Sequence, residues 1–379
     1  MTFSRRTILK SSLLAATALS APAILRRHDA LASSGTVAIA AWGDYFDKNT
    51  ILADFEKESG IKVNLTTYGS NEEIENKLRA AGGKGFDLLF PSVDTGPNYY
   101  KDNLLQPIDE KKFDASKVIP SVYRQSLTLG AANRGQRMLV PFDWGTEAIT
   151  YDSSAIKKGY GDISYGDLWA DGFARKVAFR QKSVLAGLAL YLDANGTVKT
   201  DGGMAPYKSE EECRRVFDAC LKFAAEKKAN IGAFWNNANE ATAAFKDAGC
   251  IIGQTWDTTG ILLNRDIDAK WRYTMPKEGG LAWTDTLAMP AGAANLEQAY
   301  ALANYLYKPE VGAAFSNASG YNSCAAGADR FLNDNAKAAF AMAYPNDAIE
   351  KLWWWPMMPA YFAGVRGEYA EKLTAIAKA

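Results

Sequence analysis

The chain has 379 residues, 48% hydrophobic and 23% charged, the balance of a soluble globular protein long enough for two domains. Its formal net charge is zero, so charge gives no reason to expect a nucleic-acid partner. Beyond the N-terminal segment no apolar run approaches the ~20 residues that span a bilayer, so no transmembrane helix is expected.

In chain order, Ser4–Lys10 (SRRTILK) carries twin arginines, Arg5 and Arg6, ahead of the apolar run SSLLAATALSAPAIL. This is the pattern of a twin-arginine-type signal peptide, which implies export to the periplasm of a Gram-negative bacterium. An uncleaved membrane anchor is the alternative. Candidate cleavage sites are Ala21-Pro22-Ala23 and Ala30-Leu31-Ala32. The second is preferred, because Arg26 and Arg27 would otherwise open the mature chain. Removal of residues 1–32 takes five basic residues and one acidic residue, leaving 38 positive and 42 negative and a net charge of −4. It also takes His28, the only histidine. A chain without histidine has no His general base, no Ser-His or Cys-His couple and no His-ligated metal, which removes most common hydrolase mechanisms. The first cysteine is Cys213, so no lipid anchor is expected at the signal.

The next segment alternates strand and helix. TVAIAAW (36–42) reads as a strand. NTILADFEKESG (49–60) reads as a helix with Ile51, Leu52 and Phe55 on one face and Gly60 as its stop. IKVNLTTY (61–68) is a second strand. Ser70 and Glu73 have the spacing of a capping box and predict a helix over 71–81. FDLLFPS (86–92) is a third strand. This alternation predicts an α/β domain with a parallel sheet, whose ligands bind beyond the C-terminal strand ends, where Trp42 and Ser92 lie.

From about residue 144 the pattern loosens. DISYGDLW (162–169) reads as a loop and short helix, KVAFR (176–180) as a strand, Cys213 to Ala229 as part of a helix, and GCIIGQTW (249–256) as a strand. After Gly279-Gly280 comes the strand LAWTDTLAMP, then a helix from Leu296 to Tyr307 and another after Pro309. No repeat and no long Pro/Ser linker interrupts the chain, which suits two lobes joined by short crossings. The cysteines, Cys213, Cys220, Cys250 and Cys324, show no zinc spacing. Cys213 and Cys220 lie ~10 Å apart along one helix, too far for a disulfide. A bridge through Cys250 or Cys324 stays open, but folding before export would require reduced thiols, so dependence on a bridge is not expected. No metal or cofactor is expected.

Acids beside aromatics recur at predicted strand ends: Trp42 with Asp44, Phe142-Asp143-Trp144 with Glu147, Trp256 with Asp257, and Trp283 with Asp285. On a strand, Trp283 and Asp285 share a face. A core tryptophan beside a surface acid would explain any one pair. Four together describe a pocket for an amine, with ring faces attracting the cation and a carboxylate supplying a charge-assisted hydrogen bond.

Carrying VAIAAWGDYF, FEKESGIKVNLTTYGSNEEIENKL, FDLLFPS, LVPFDWGTEAITYD, GQTW, MPKEGGLAWTDTLAMP, LYKPEVGAAF and SGYNS in order, the chain resembles the bacterial spermidine/putrescine-binding periplasmic proteins. The resemblance covers nearly the whole mature chain. It implies an α/β, two-lobed periplasmic binding protein fold, type II-like, each lobe a mainly parallel sheet flanked by helices, with the ligand in the interlobe cleft. The implied lobes are 33–143 with 285–328, and 144–284 with 329–379. It implies a monomer with no catalytic turnover that binds a polyamine or related small amine and delivers it to the membrane permease subunits of an ABC transporter. Trp42, Ser92, Trp256, Trp283, Asp285 and Tyr321 match pocket positions, with Asp285 holding an ammonium; Asp44 matches a polar position beside the first tryptophan. Trp256 and Trp283 as interlobe packing, and Tyr321 as a hinge-side packing residue, are the plain alternatives.

The chain departs from the family in the second lobe, where two further carboxylates are expected after the strand KVAFR. Here FRQKSVLAG places Gln181 and Val184 at those positions, with Arg180 and Lys182 where acids were expected. The family's pocket glutamine falls near Pro356, within WWWPMM. A basic residue there would suit a zwitterion, such as an amino acid, γ-aminobutyrate or an opine-like conjugate. Alternatively Arg180 and Lys182 face solvent, and Asp143, Glu147, Asp94 or Asp257 replaces the lost acids. Trp353, Trp354 and Trp355 are consecutive, so they cannot all face one way. A secreted carboxylate-pair glycosidase is the remote alternative, since tryptophan walls and acid pairs also suit sugars.

Overall fold

The structure, a computed structural model, describes residues 35–47 and 49–378. The expected signal segment, its candidate cleavage sites and His28 lie outside the described residues.

The strands Gly35–Trp42 and Ile61–Tyr68 pair in parallel along their whole length. Between them runs the helix Ile51–Ser59, which buries Ile51 and Phe55 and stops at Gly60, whose φ of 75° is costly for any residue with a Cβ. The helix Asn71–Ala80 starts where Ser70 Oγ accepts the Glu73 amide at 3.2 Å. The Glu73 carboxylate reaches back one residue further than in a standard box, to the Gly69 amide at 2.9 Å.

The third strand is shorter than its sequence suggests. Only Leu88–Leu89 joins the ladder. Asp87 instead accepts the amides of Ala38, Ala294 and Asn295. The Phe90 carbonyl takes the Trp42 indole and the Tyr68 hydroxyl, and Pro91 has no N–H to donate.

Two long strands, Leu139–Asp152 and Leu281–Pro290, pair antiparallel through the middle of the molecule. Their register slips between Asp285 and Thr286, opposite Asp143 and Pro141. Ile252–Trp256 adds antiparallel to the first of them, and Val177–Arg180 and Ile231–Trp235 then add in parallel. The sheet therefore has parallel arms and an antiparallel centre, because the chain crosses the middle in both directions.

The buried apolar side chains divide with the arms. One core draws on Val37 to Phe142 and Leu287 to Ala328. A second draws on Ile149 to Leu281 and Trp355 to Leu373. The helix carrying Cys213 and Cys220 spans Glu210–Glu226, short of Ala229, whose carbonyl is taken by the Arg175 amide. All four cysteines are buried free thiols. Among the described residues no helix is long and apolar enough to cross a membrane.

Candidate functional site

A cavity of about 70 Å³ opens between the two arms at the C-terminal ends of Gly35–Trp42 and Ile252–Trp256. Trp42, Ser92, Arg180, Trp256, Trp283, Asp285 and Tyr321, all singled out from sequence, line it. Two further candidates do not. Asp44 stands behind the wall, accepting the Tyr321 hydroxyl at 2.7 Å. Gln181 turns away from the cavity: its amide donates to Thr374 Oγ1 at 2.7 Å and accepts from Asn236 Nδ2 at 2.9 Å.

Asp285 is the centre of the first wall. Its Oδ1 accepts the Ser92 hydroxyl at 2.5 Å, and its Oδ2 accepts the Tyr45 hydroxyl at 2.7 Å. Ser92 cannot turn away, because its oxygen accepts Asn71 Nδ2 at 2.9 Å while its amide donates to Asn71 Oδ1 at 3.0 Å. Burial pushes the Asp285 carboxyl up to about 7, against the two hydroxyl donors. Asp94, a second acid on this wall, is pushed up by burial to about 6.

Aromatic rings form the sides. Trp42 meets Trp256 edge-on at 6.4 Å, and Trp283 meets Tyr321 edge-on at 5.3 Å. Trp283 lies against Gly145 on the neighbouring strand, where a Cβ would come within 2.4 Å of the indole ring. The WGT segment thus needs glycine for the tryptophan to lie down. Of the three consecutive tryptophans, Trp355 lines the cavity. Trp353 packs on Tyr207 and donates to the Gly202 carbonyl, and Trp354 lies 6.3 Å from Trp144.

The opposite wall is basic. Arg180, Lys182 and Arg366 all line the cavity. Arg180 Nη1 donates to Glu147 at 3.0 Å, and its guanidinium lies 4.6 Å from the Trp256 ring centre. Glu147 is fully buried and also accepts from Ser183 and Gln254. Lys182 and Arg366 converge on Glu72, each at 2.8 Å. Burial raises the Glu72 carboxyl, but the two cations outweigh it and hold the group down at about 2.

Tyr45, Asn71, Glu72 and Arg366 were not evident from sequence. Tyr45 follows Trp42 by three residues at a strand's C-terminal end, and Asn71 and Glu72 open the helix after the next strand end, so position in the α/β pattern was the available signal. Arg366 carried none. Asp257, buried and pushed up by burial to about 7, is satisfied by Tyr344, Thr146 and Thr258 away from the cavity. Among the described residues no cluster of His, Cys, Asp and Glu is arranged to hold a metal ion.

The bacterial extracellular solute-binding protein family matches residues 50–344. The putrescine-binding periplasmic protein PotF of Escherichia coli K12 is 30% identical over 296 residues, covering 76% of this chain and 77% of that one. The spermidine/putrescine-binding periplasmic protein of the same organism is 26% identical over 338 residues, covering 88% and 90%. Among solved structures, a putative spermidine/putrescine ABC transporter protein from Listeria monocytogenes superposes with a TM-score of 0.75 at 21% identity, over 90% of this chain and 99% of that one. A match spanning most of the chain, the two-lobed α/β fold and a cleft at the strand ends agree: the chain belongs to the bacterial extracellular solute-binding proteins.

Proposed function

We propose that the protein is the periplasmic substrate-binding component of an ABC importer and that its ligand is a small zwitterionic amine. Its lobes are 33–143 with 285–328 and 144–284 with 329–379, and it works as a monomer without catalytic turnover. Ligand contacts made from both sides of the cleft would favour the closed form that a permease engages. The ammonium sits at Asp285, between ring faces that also attract cations.

The observation carrying this reading is the charge asymmetry of the cavity. Its acidic lining residues, Glu72, Asp94 and Asp285, all come from the first lobe, while Arg180, Lys182 and Arg366 come from the second. A second ammonium would meet cations there, whereas a carboxylate would find donors. Of the Arg180 guanidinium nitrogens, only Nη1 makes a hydrogen bond to the protein, among the described residues.

A diamine is the second reading. It is favoured by the putrescine-binding relative at 30% identity and by Asp94, an acid in the cavity wall available to a second ammonium. A thermal-shift screen separates the two. A ligand at 100 times its Kd adds ~2.7 kcal/mol of stability. γ-Aminobutyrate, amino acids and opines are expected to raise the melting temperature more than putrescine or spermidine. A shift with the polyamines alone overturns the zwitterion reading. Release of a product from a sugar panel would instead indicate the glycosidase.

A further inference from the structure

Behind the ammonium anchor stands a second acid, Asp143. It is the direct cross-strand partner of Asp285 in the antiparallel ladder. Like charges directly opposite destabilise a sheet. These two are also out of water, with exposures of 0% for Asp143 and 4% for Asp285.

The Tyr45 hydroxyl lies between them, 2.8 Å from Asp143 Oδ1 and 2.7 Å from Asp285 Oδ2. A phenol carries one hydrogen and donates one such bond. Were both carboxylates ionised, one of these contacts would set two acceptor oxygens together with no proton between them. One carboxyl therefore carries a proton.

The surroundings decide which. Asp285 borders the cavity and receives two hydroxyl donors. Among the described residues Asp143 accepts from no donor but Tyr45, and its Oδ2 is buried without a partner. An ionised Asp143 would be a buried anion with at most one hydrogen bond, a costly state. A neutral Asp143 leaves only a carbonyl oxygen unsatisfied and gains a bond as donor. Burial, then the neighbouring Asp285 charge, push its carboxyl well above the usual range.

We infer that Asp143 is a protonated acid that donates from Oδ1 to Tyr45, which obliges Tyr45 to donate to Asp285, and that Asp143 is thereby a positioning residue for the ligand anchor. The relay runs Asp143 to Tyr45 to Asp285, with Ser92 holding the other Asp285 oxygen. The pair then carries one negative charge and presents it on the cavity side, matched to a single ammonium. The effect on affinity rests on Asp285 being that anchor; the protonation of Asp143 does not.

Infrared difference spectroscopy tests it, with γ-aminobutyrate as the binding probe. At about pH 8.5, above the ordinary carboxyl range, wild-type protein is expected to show the C=O band of a protonated carboxylic acid. Asp143→Asn removes that band and, because its amide also donates to Tyr45, keeps affinity within about threefold of wild type. Asp143→Leu has no donor and weakens binding at least tenfold. A wild-type spectrum without the band overturns the proposal even if the variants fail to fold. So does Asp143→Asn costing as much affinity as Asp285→Asn. A protein that binds no amine would sink the amine reading while the band still decides the protonation.

Discussion

Glu72 accepts a hydrogen bond from Arg366 across the cleft at 2.8 Å, and Lys182 reaches the other oxygen of the same carboxylate. The acid belongs to a helix packed on the first core, and both cations to segments packed on the second. The two lobes are thus tied by side chains that also line the cavity. Glu72→Gln should weaken this tie by roughly 1 kcal/mol, the upper range for a partly exposed pair, and lower ligand affinity about fivefold. Small-angle scattering should show a larger radius of gyration for the empty variant. An unchanged radius and unchanged affinity would mean that the tie does not hold the lobes together.

Asp285→Asn should weaken an amine ligand by roughly 10- to 150-fold, the loss of a charge-assisted hydrogen bond of about 1.5–3 kcal/mol. Titration calorimetry measures this directly. Equal affinity in the variant would place the ammonium elsewhere.

The pH dependence of the empty protein follows from the raised acids. Asp285 at about 7 and Asp94 at about 6 hold protons in the folded state that the unfolded chain has already lost above about 4. Their contribution to stability is therefore largest in acid and lost as pH rises from about 4 to about 7. Glu72 acts in the opposite sense: held at about 2, it stabilises above about 4.5 and loses that effect as pH falls toward 2. Melting curves of Asp285→Asn between pH 4 and 8 should show a shallower decline than wild type. An equally steep decline would contradict the raised carboxyl.

Removing Arg180 leaves Glu147 fully buried and without its cation. Arg180→Met should destabilise the fold by ~3 kcal/mol or more. Adding Glu147→Gln should recover most of that stability, while the affinity for a zwitterion stays low because the cation has gone from the cavity. Recovery of both would make Arg180 a purely structural partner.

The four thiols are buried and unpaired, and burial raises each of Cys213, Cys220, Cys250 and Cys324 above the ordinary thiol range. A thiol reagent should label none in the native protein and four after denaturation, and reductant should leave the melting temperature unchanged. Rapid labelling of a native thiol, or a reductant-sensitive melt, would show a different state.

Local patterns carried much of this structure. Ser70 and Gly60 bound their helices as their residue types dictate, and WTD puts its indole and carboxylate on one face. Local sequence says nothing of partners that come from far along the chain. Tyr45 and Asp285 are 240 residues apart, and Glu72 and Arg366 are 294 apart. Gln181 illustrates a smaller limit. It falls between Arg180 and Lys182, both of which line the cavity, and the turn after the strand points it at Thr374 instead. FDLLFPS reads as a full strand because Phe86, Leu88, Leu89 and Phe90 are apolar, yet Asp87, Phe90 and Pro91 commit their polar groups or lack them, which no hydrophobic pattern reveals.

The slipped register beside Asp285 lies on the pair of strands that both lobes share. A lever moves its far end most and its axis least. Asp285, the proposed ammonium anchor, lies beside that slip, whereas Lys182 and Arg366 belong to segments packed on the second core. If the lobes turn about these shared strands, an amine held at Asp285 would keep its place while the basic wall moves in, so one end of the solute would be gripped first and its other end judged only on closing.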